Sequence, residues 1–297
     1  MADAADAGPG TRSSAQDILS LATSGTDMFS GGPGELNHIG TVFGGRMIAQ
    51  ALASASRTVD GLPPTSLHSY FVAPASAALS IEYRVERIRD SRRFANRHVN
   101  AYQDGKLVFT MMCQFHGSED GFVHQSAVMP DVPPPEEVLL IHEFVLKNSD
   151  RLDEAAMHNF LSPLPIEMRA VRPEVYFFER PETPQRDFWF RLPSAAAIDD
   201  LRLQACLLGY CSDYWLAGVA AVPHFFPTNS KGHLISSLDH SIWFHRPARC
   251  EDWLLHHTTS PSAQDGLGLS RGQIFDREGH LIASTTQECI LRDLTAR

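Results

Sequence analysis

The sequence predicts an α+β fold made of two tandem repeats, each a long central helix wrapped by an antiparallel sheet. Three observations carry that reading. Residues 129–137 hold three consecutive prolines, Pro133 to Pro135, which forbid helix or central strand and split the 297-residue chain into parts of similar size. Each part then shows the same order: an apolar helix, a strand bearing His-Ser, an arginine, an acidic-Gly turn and a long last strand. Finally, Arg97, Gly105 and Leu107 recur as Arg271, Gly279 and Leu281 at one constant offset.

In the first part, Val42-Phe43-Gly44-Gly45 opens a helix that continues through residues 46–53. The strand with His68-Ser69-Tyr70-Phe71 follows and closes before Pro74. Beyond Arg97, the turn Gln103-Asp104-Gly105-Lys106 leads into a strand over residues 107–115. In the second part, the apolar run 205–222, ACLLGYCSDYWLAGVAAV, reads as one buried helix. It approaches the length of a membrane span, but Asp213 near its middle and Pro223 at its end argue against one. The strand His240-Ser241-Ile242-Trp243-Phe244 ends before Pro247, and the turn Arg277-Glu278-Gly279-His280 opens the strand over 281–290. Asp-Gly and Glu-Gly between β-rich segments are hairpin signals. The expected division is a flexible tail at 1–14, a first unit at 15–125, a linker at 126–165 and a second unit at 166–297.

Composition narrows the function classes. A hydrophobic content of 43% with 20% charged residues is that of a globular chain. The formal charge of −10 argues against nucleic-acid binding, which needs a basic footprint. Arg92, Arg93 and Arg97 are the nearest approach to an anion-binding cluster and read instead as a solvated charged face. The five cysteines lack CxxC or Cys/His metal spacing, and their apolar neighbours suggest reduced, buried thiols. The acidic start MADAADAGPGTRSS is not a secretory signal, and Leu294-Thr295-Ala296-Arg297 is not an SKL-type address, so an intracellular, cytoplasmic location is expected.

Asp213 is the only charged residue in the run 205–222, and burying an isolated carboxylate is costly unless it is paired or used. Gln287 aligns with Cys113 of the first part, and alternation puts it on the strand face of Thr285, Cys289 and Leu291, where a helix packs. A strand serine, Ser236 or Ser237, adds a hydroxyl, although spacing alone does not choose between the two. A carboxylate, an amide and a hydroxyl can together hold a water, with the carboxylate as a general base contributing about 10²–10⁴ in rate. Gly268-Leu269-Ser270-Arg271-Gly272 matches the G-x-S-x-G nucleophile elbow, but a hairpin follows it where a helix is needed. Only Asp276, His280 and Asp293 remain downstream as triad partners before the chain ends. The histidines lack metal-ligand spacing, and strict alternation puts Ser237 and His240 on opposite strand faces.

These residues resemble the type II acyl-CoA thioesterases, which are double hot-dog proteins. The matching segments are Val42-Phe43-Gly44-Gly45 with Gln50-Ala51-Leu52, Leu67-His68-Ser69-Tyr70-Phe71, and Ser212-Asp213-Tyr214. Ser237-Leu238-Asp239-His240-Ser241-Ile242-Trp243-Phe244-His245 and Ile282-Ala283-Ser284-Thr285-Thr286-Gln287-Glu288 complete the set. The resemblance implies a catalytic group of Asp213, Ser237 and Gln287 that activates water against a fatty acyl-CoA thioester, and it selects Ser237 over Ser236. It also implies release of fatty acid and CoA, no metal or organic cofactor, and a homodimer or homotetramer. Two other readings compete on the same fold. An acyl-CoA hydratase needs an Asp followed about five residues on by His on a central helix, which neither helix has. A non-catalytic acyl-CoA-binding protein would show an eroded Asp/Ser/Gln set, and here all three residues are present.

Overall fold

The computed structural model describes residues 13–37, 40–224 and 232–294. Most of the expected N-terminal tail and the last three residues lie outside them. The chain opens with α1 (Ala15–Leu19), started by a capping box: Ser14 accepts the Asp17 N–H, and the Asp17 carboxylate accepts the Ser14 N–H. The hairpin β1 (Ala22–Gly25) and β2 (Met28–Gly31) leads to α2 (Gly44–Ser56), which is buried almost along its whole length. Then follow β3 (Pro64–Phe71), β4 (Ile81–Asp90), β5 (Phe94–Gln103) and β6 (Lys106–His116). Asp104 and Gly105 both take positive φ in the two-residue turn between β5 and β6, the conformation that Asp-Gly supports at least cost.

The chain then runs extended across the second half. Trp189 Nε1 donates to Pro133 O at 2.9 Å, and Pro135 opens a short 3-10 turn. Two helices follow, α3 (Ile141–Lys147) and α4 (Glu154–Leu161), then β7 (Glu167–Ala170), α5 (Glu174–Phe177) and β8 (Gln185–Arg191). The second central helix is α6 (Leu201–Ser212), followed by β9 (His233–Ser237), β10 (Asp239–Phe244), β11 (Leu254–Gln264), β12 (Leu267–Phe275) and β13 (Leu281–Asp293).

All the strands form one antiparallel sheet, ordered β1-β2-β4-β5-β6-β3-β10-β13-β12-β11-β8-β7, with β9 on β13. The two halves meet where β3 pairs with β10, His68 opposite Ser241 and Leu67 opposite Ile242. Across that seam α2 packs on α6, and the main apolar cluster draws on both. Gly209 allows this approach: a Cβ there would lie 3.0 Å from Ile48 Cγ2. The α+β, two-repeat fold class is as the sequence predicts. All five cysteines are buried free thiols.

Three expectations change. The run 205–222 is not one helix. Its α-helical part stops at Ser212, Asp213 forms the C-cap, and Trp215 turns the chain at φ +62 before a 3-10 helix, Ala217–Ala221. A positive φ is unfavourable for so bulky a residue, and its ring is held by packing on Tyr176 and Phe188. The second change concerns the repeat. Arg97 pairs with Cys113, whereas Gln287, on the strand equivalent to that of Cys113, pairs with Ser270. The counterpart of Arg97 is therefore Ser270, and Arg271 is exposed. The β5–β6 and β12–β13 connections differ, so one offset cannot serve both strands of the hairpin. Third, Arg97 is neither solvated nor open to an anion. It is fully buried and donates to Thr58 Oγ1 and O, Arg89 O, Asn96 O and the Asp90 carboxylate.

Candidate active site

Asp213 sits where the two central helices end against each other. As the C-cap of α6 it lies at that helix's negative carbonyl end, which disfavours an anion. Its side chain is 6% exposed, and burial pushes the carboxyl up to about 6 from its ordinary value. Hydrogen bonds from Gln287 and from the backbone N–H of Gly45 act in the opposite direction. The Gly45 bond comes from the other half of the chain. The N-cap of α2 is Phe43, which supplies no side-chain cap, so the Asp213 carboxylate serves the first turn of α2 across the seam. Glycine is needed there. A Cβ on Gly44 would lie 2.8 Å from Asp213 Oδ2, and one on Gly45 would lie 2.4 Å from Tyr210 O.

Gln287 projects from β13 and is fully buried. Its Nε2 donates to Asp213 Oδ1 at 2.7 Å and to Ser237 Oγ at 2.9 Å. Both amide protons are thereby used, and the carboxylate partner fixes which end of the amide is nitrogen. Ser237 ends β9 opposite Cys289, with its hydroxyl proton still to donate. The three residues selected from the sequence thus lie in one hydrogen-bonded line. Ser236 takes the next register position, opposite Ile290, and forms no part of that line. Ser270, the serine of the rejected elbow, is fully buried in mid-strand opposite Gln287.

Sequence reasoning set His240 aside, because strict alternation faces it away from Ser237. Its Nε2 lies 2.9 Å from Ser212 Oγ and its Nδ1 lies 3.9 Å from Asp213 Oδ1. Full burial lowers the imidazole pKa to about 3, so the ring is neutral. Strict alternation would face Ser237 and His240 apart. Between the pairs Ser237–Cys289 and Ser241–Thr286, however, the β9–β10 edge advances one residue more than β13. That bulge brings both side chains to the inner side. Two tyrosines of the α6 end were also missed. Tyr210 donates to Glu35, Tyr210 and Tyr214 hydroxyls lie 2.9 Å apart, and the Phe43 ring packs on both. Burial pushes both phenols well above their ordinary range.

A surface cleft of about 670 Å³, lined by Glu136, Arg191, Arg249, Glu251 and Arg277 among others, has no lining residue in common with this cluster. Among the described residues, Asp276, Glu278 and His280 are grouped closely enough to face one cation. Asp276 already accepts the N–H groups of Glu278 and His280 and contacts the His280 ring, so the turn is satisfied by its own bonds.

Comparison with known proteins covers nearly the whole chain. A family described as acyl-CoA thioesterase N-terminal domain matches residues 32–116, and one described as acyl-CoA thioesterase C-terminal domain matches residues 131–291. Human acyl-coenzyme A thioesterase 8 is 33% identical over 258 residues, covering 84% of this chain and 80% of that protein. Acyl-CoA thioesterase 2 of Haemophilus influenzae is 35% identical over 252 residues, covering 84% of this chain and 87% of its own. The crystal structure of the acyl-CoA thioesterase II TesB2 from Mycobacterium marinum superposes with a TM-score of 0.77 at 31% identity. It covers 95% of this chain and 100% of that one.

Proposed function

The chain belongs to the acyl-CoA thioesterase family, with the double hot-dog fold, and we propose that Asp213 is the general base that activates water for thioester hydrolysis. Gln287 and Ser237 hold that water. The water oxygen attacks the thioester carbonyl carbon while its proton passes to Asp213. Negative charge then develops on the carbonyl oxygen, and the positive N-terminal end of α2 stabilises it. Collapse breaks the C–S bond, and the proton held by Asp213 goes to the leaving thiolate. The products are a fatty acid and free CoA, with no covalent intermediate. The proposed substrate is a fatty acyl-CoA, and the proposed assembly is a homodimer or homotetramer.

The observation that supports this most is the single Gln287 amide bridging Asp213 and Ser237 beneath the first turn of α2. It leaves the carboxylate, the hydroxyl and a helix N-terminus around one point. Single-turnover hydrolysis in ¹⁸O-water checks the route. Direct attack puts ¹⁸O in the fatty acid and leaves Asp213 unlabelled. Label appearing in Asp213 instead would mean that the carboxylate attacks the substrate itself.

A further inference from the structure

We propose that His240 is a positioning residue for Asp213: held by Ser212 as the Nε2–H tautomer, it presents a bare Nδ1 lone pair to the Asp213 carboxyl and so favours that carboxyl's protonated form. This rests on Asp213 being the base.

The tautomer follows from counting protons. Ser212 has one hydroxyl proton, and its Oγ donates that proton to Gly209 O at 2.9 Å. The contact of 2.9 Å between Ser212 Oγ and His240 Nε2 therefore needs its proton from the imidazole. A neutral ring has only one N–H, so Nδ1 carries a lone pair. That nitrogen is buried, has no hydrogen-bond partner among the described residues, and faces Asp213 Oδ1 at 3.9 Å.

While Asp213 is ionised, two lone pairs confront each other in a site nearly closed to water, which disfavours the anion. Once Asp213 takes a proton on Oδ1, a modest closing motion gives an O–H···Nδ1 hydrogen bond, and the protonated form is favoured. His240 stays neutral throughout, and the proton it steadies is the one Asp213 passes to the leaving sulfur.

The other groups facing the pair are few. Gln287 on β13 and the Gly45 N–H on α2 donate to Asp213 and favour its anion. Tyr214 is adjacent on the chain, and Glu35 acts on it from the loop before α2. His256 on β11 is the other imidazole near His240; it too is fully buried, with its pKa lowered, and its Nε2 lies 3.2 Å from Thr285 Oγ1. None of these supplies a proton to His240 Nδ1.

Two measurements on the full chain test the assignment. ¹⁵N NMR of labelled histidine is expected to show Nε2 protonated and Nδ1 bare from about pH 5 to 8, a window set by the imidazole's ordinary titration range. In pH–rate profiles, His240→Phe removes the lone pair, and Ser212→Ala frees Nδ1–H to donate to Asp213. Each should lower the acid-limb pKa of kcat by about one unit and reduce kcat at pH 7 by about three- to tenfold, with KM within about twofold. A protonated Nδ1, or an acid limb unmoved in either variant, overturns the proposal. A merely structural His240 would reduce folding or turnover without moving that limb. Should Asp213→Asn retain full turnover while Nδ1 stays bare, the base assignment fails and the imidazole arrangement does not.

Discussion

At the residue scale, a carboxylate buried at the carbonyl end of a helix is held ionised by few contacts, here Gln287 Nε2 and the Gly45 N–H. Burial outweighs them and leaves the carboxyl near 6, close to the working pH that suits a general base. The sign of the pH effect follows. The proposed base acts as the anion, so turnover should hold above that value and fall about tenfold per pH unit below it. A pH–rate profile down to pH 4.5 checks this; an acid limb at the ordinary carboxylate value near 4 would contradict it. Asp213 stands out in the sequence because it is the only charge in an apolar run, and Gln287 because Cys113 holds its place in the first half. Ser237 could not be separated from Ser236 by residues alone. Their difference lies in register on β13, which one sequence does not display.

At the element scale, the site depends on two helix ends meeting more closely than side chains allow. Both glycines at the start of α2 serve that approach. Gly45→Ala would place a methyl 2.4 Å from Tyr210 O and 2.5 Å from the Phe43 ring. Its expected cost is about 1–3 kcal/mol of stability, read by thermal or urea unfolding, together with loss of activity. An unchanged midpoint with full activity would mean that the helix ends have room to spare. This scale also explains why His240 was wrongly faced away from Ser237. Period-2 reasoning assumes an unbroken strand, and one inserted residue between Ser237 and Ser241 reverses the face of everything beyond it. The single-helix reading of 205–222 failed for a related reason. Hydrophobicity alone does not register the turn at Trp215, which tertiary packing of its ring sustains.

At the scale of the whole molecule, the three candidate residues come from the second half, but the helix N-terminus that completes their site comes from the first. The sheet runs unbroken through β3 and β10, and α2 and α6 bury each other's apolar faces. Residues 131–297 expressed alone would expose the β10 edge and the α6 face and would lack the α2 terminus. That fragment should therefore show no thioesterase activity by free-thiol release, and it should be aggregation-prone. Activity in the isolated fragment comparable to that of the full chain would refute the shared site. The order of elements along the chain was enough to predict two repeats. How the repeats join could not be read, because β3–β10 pairing and helix-to-helix contact are long-range and leave no local periodicity.

The most direct test of the central claim is steady-state hydrolysis of palmitoyl-CoA by Asp213→Asn, followed by free-thiol release. Asparagine keeps the shape and still accepts from Gln287, but it cannot take the water's proton. A kcat lower by about 10²–10⁴ with KM little changed is expected, the mark of an interaction that acts in the transition state. An Asn variant turning over at the wild-type rate would contradict it.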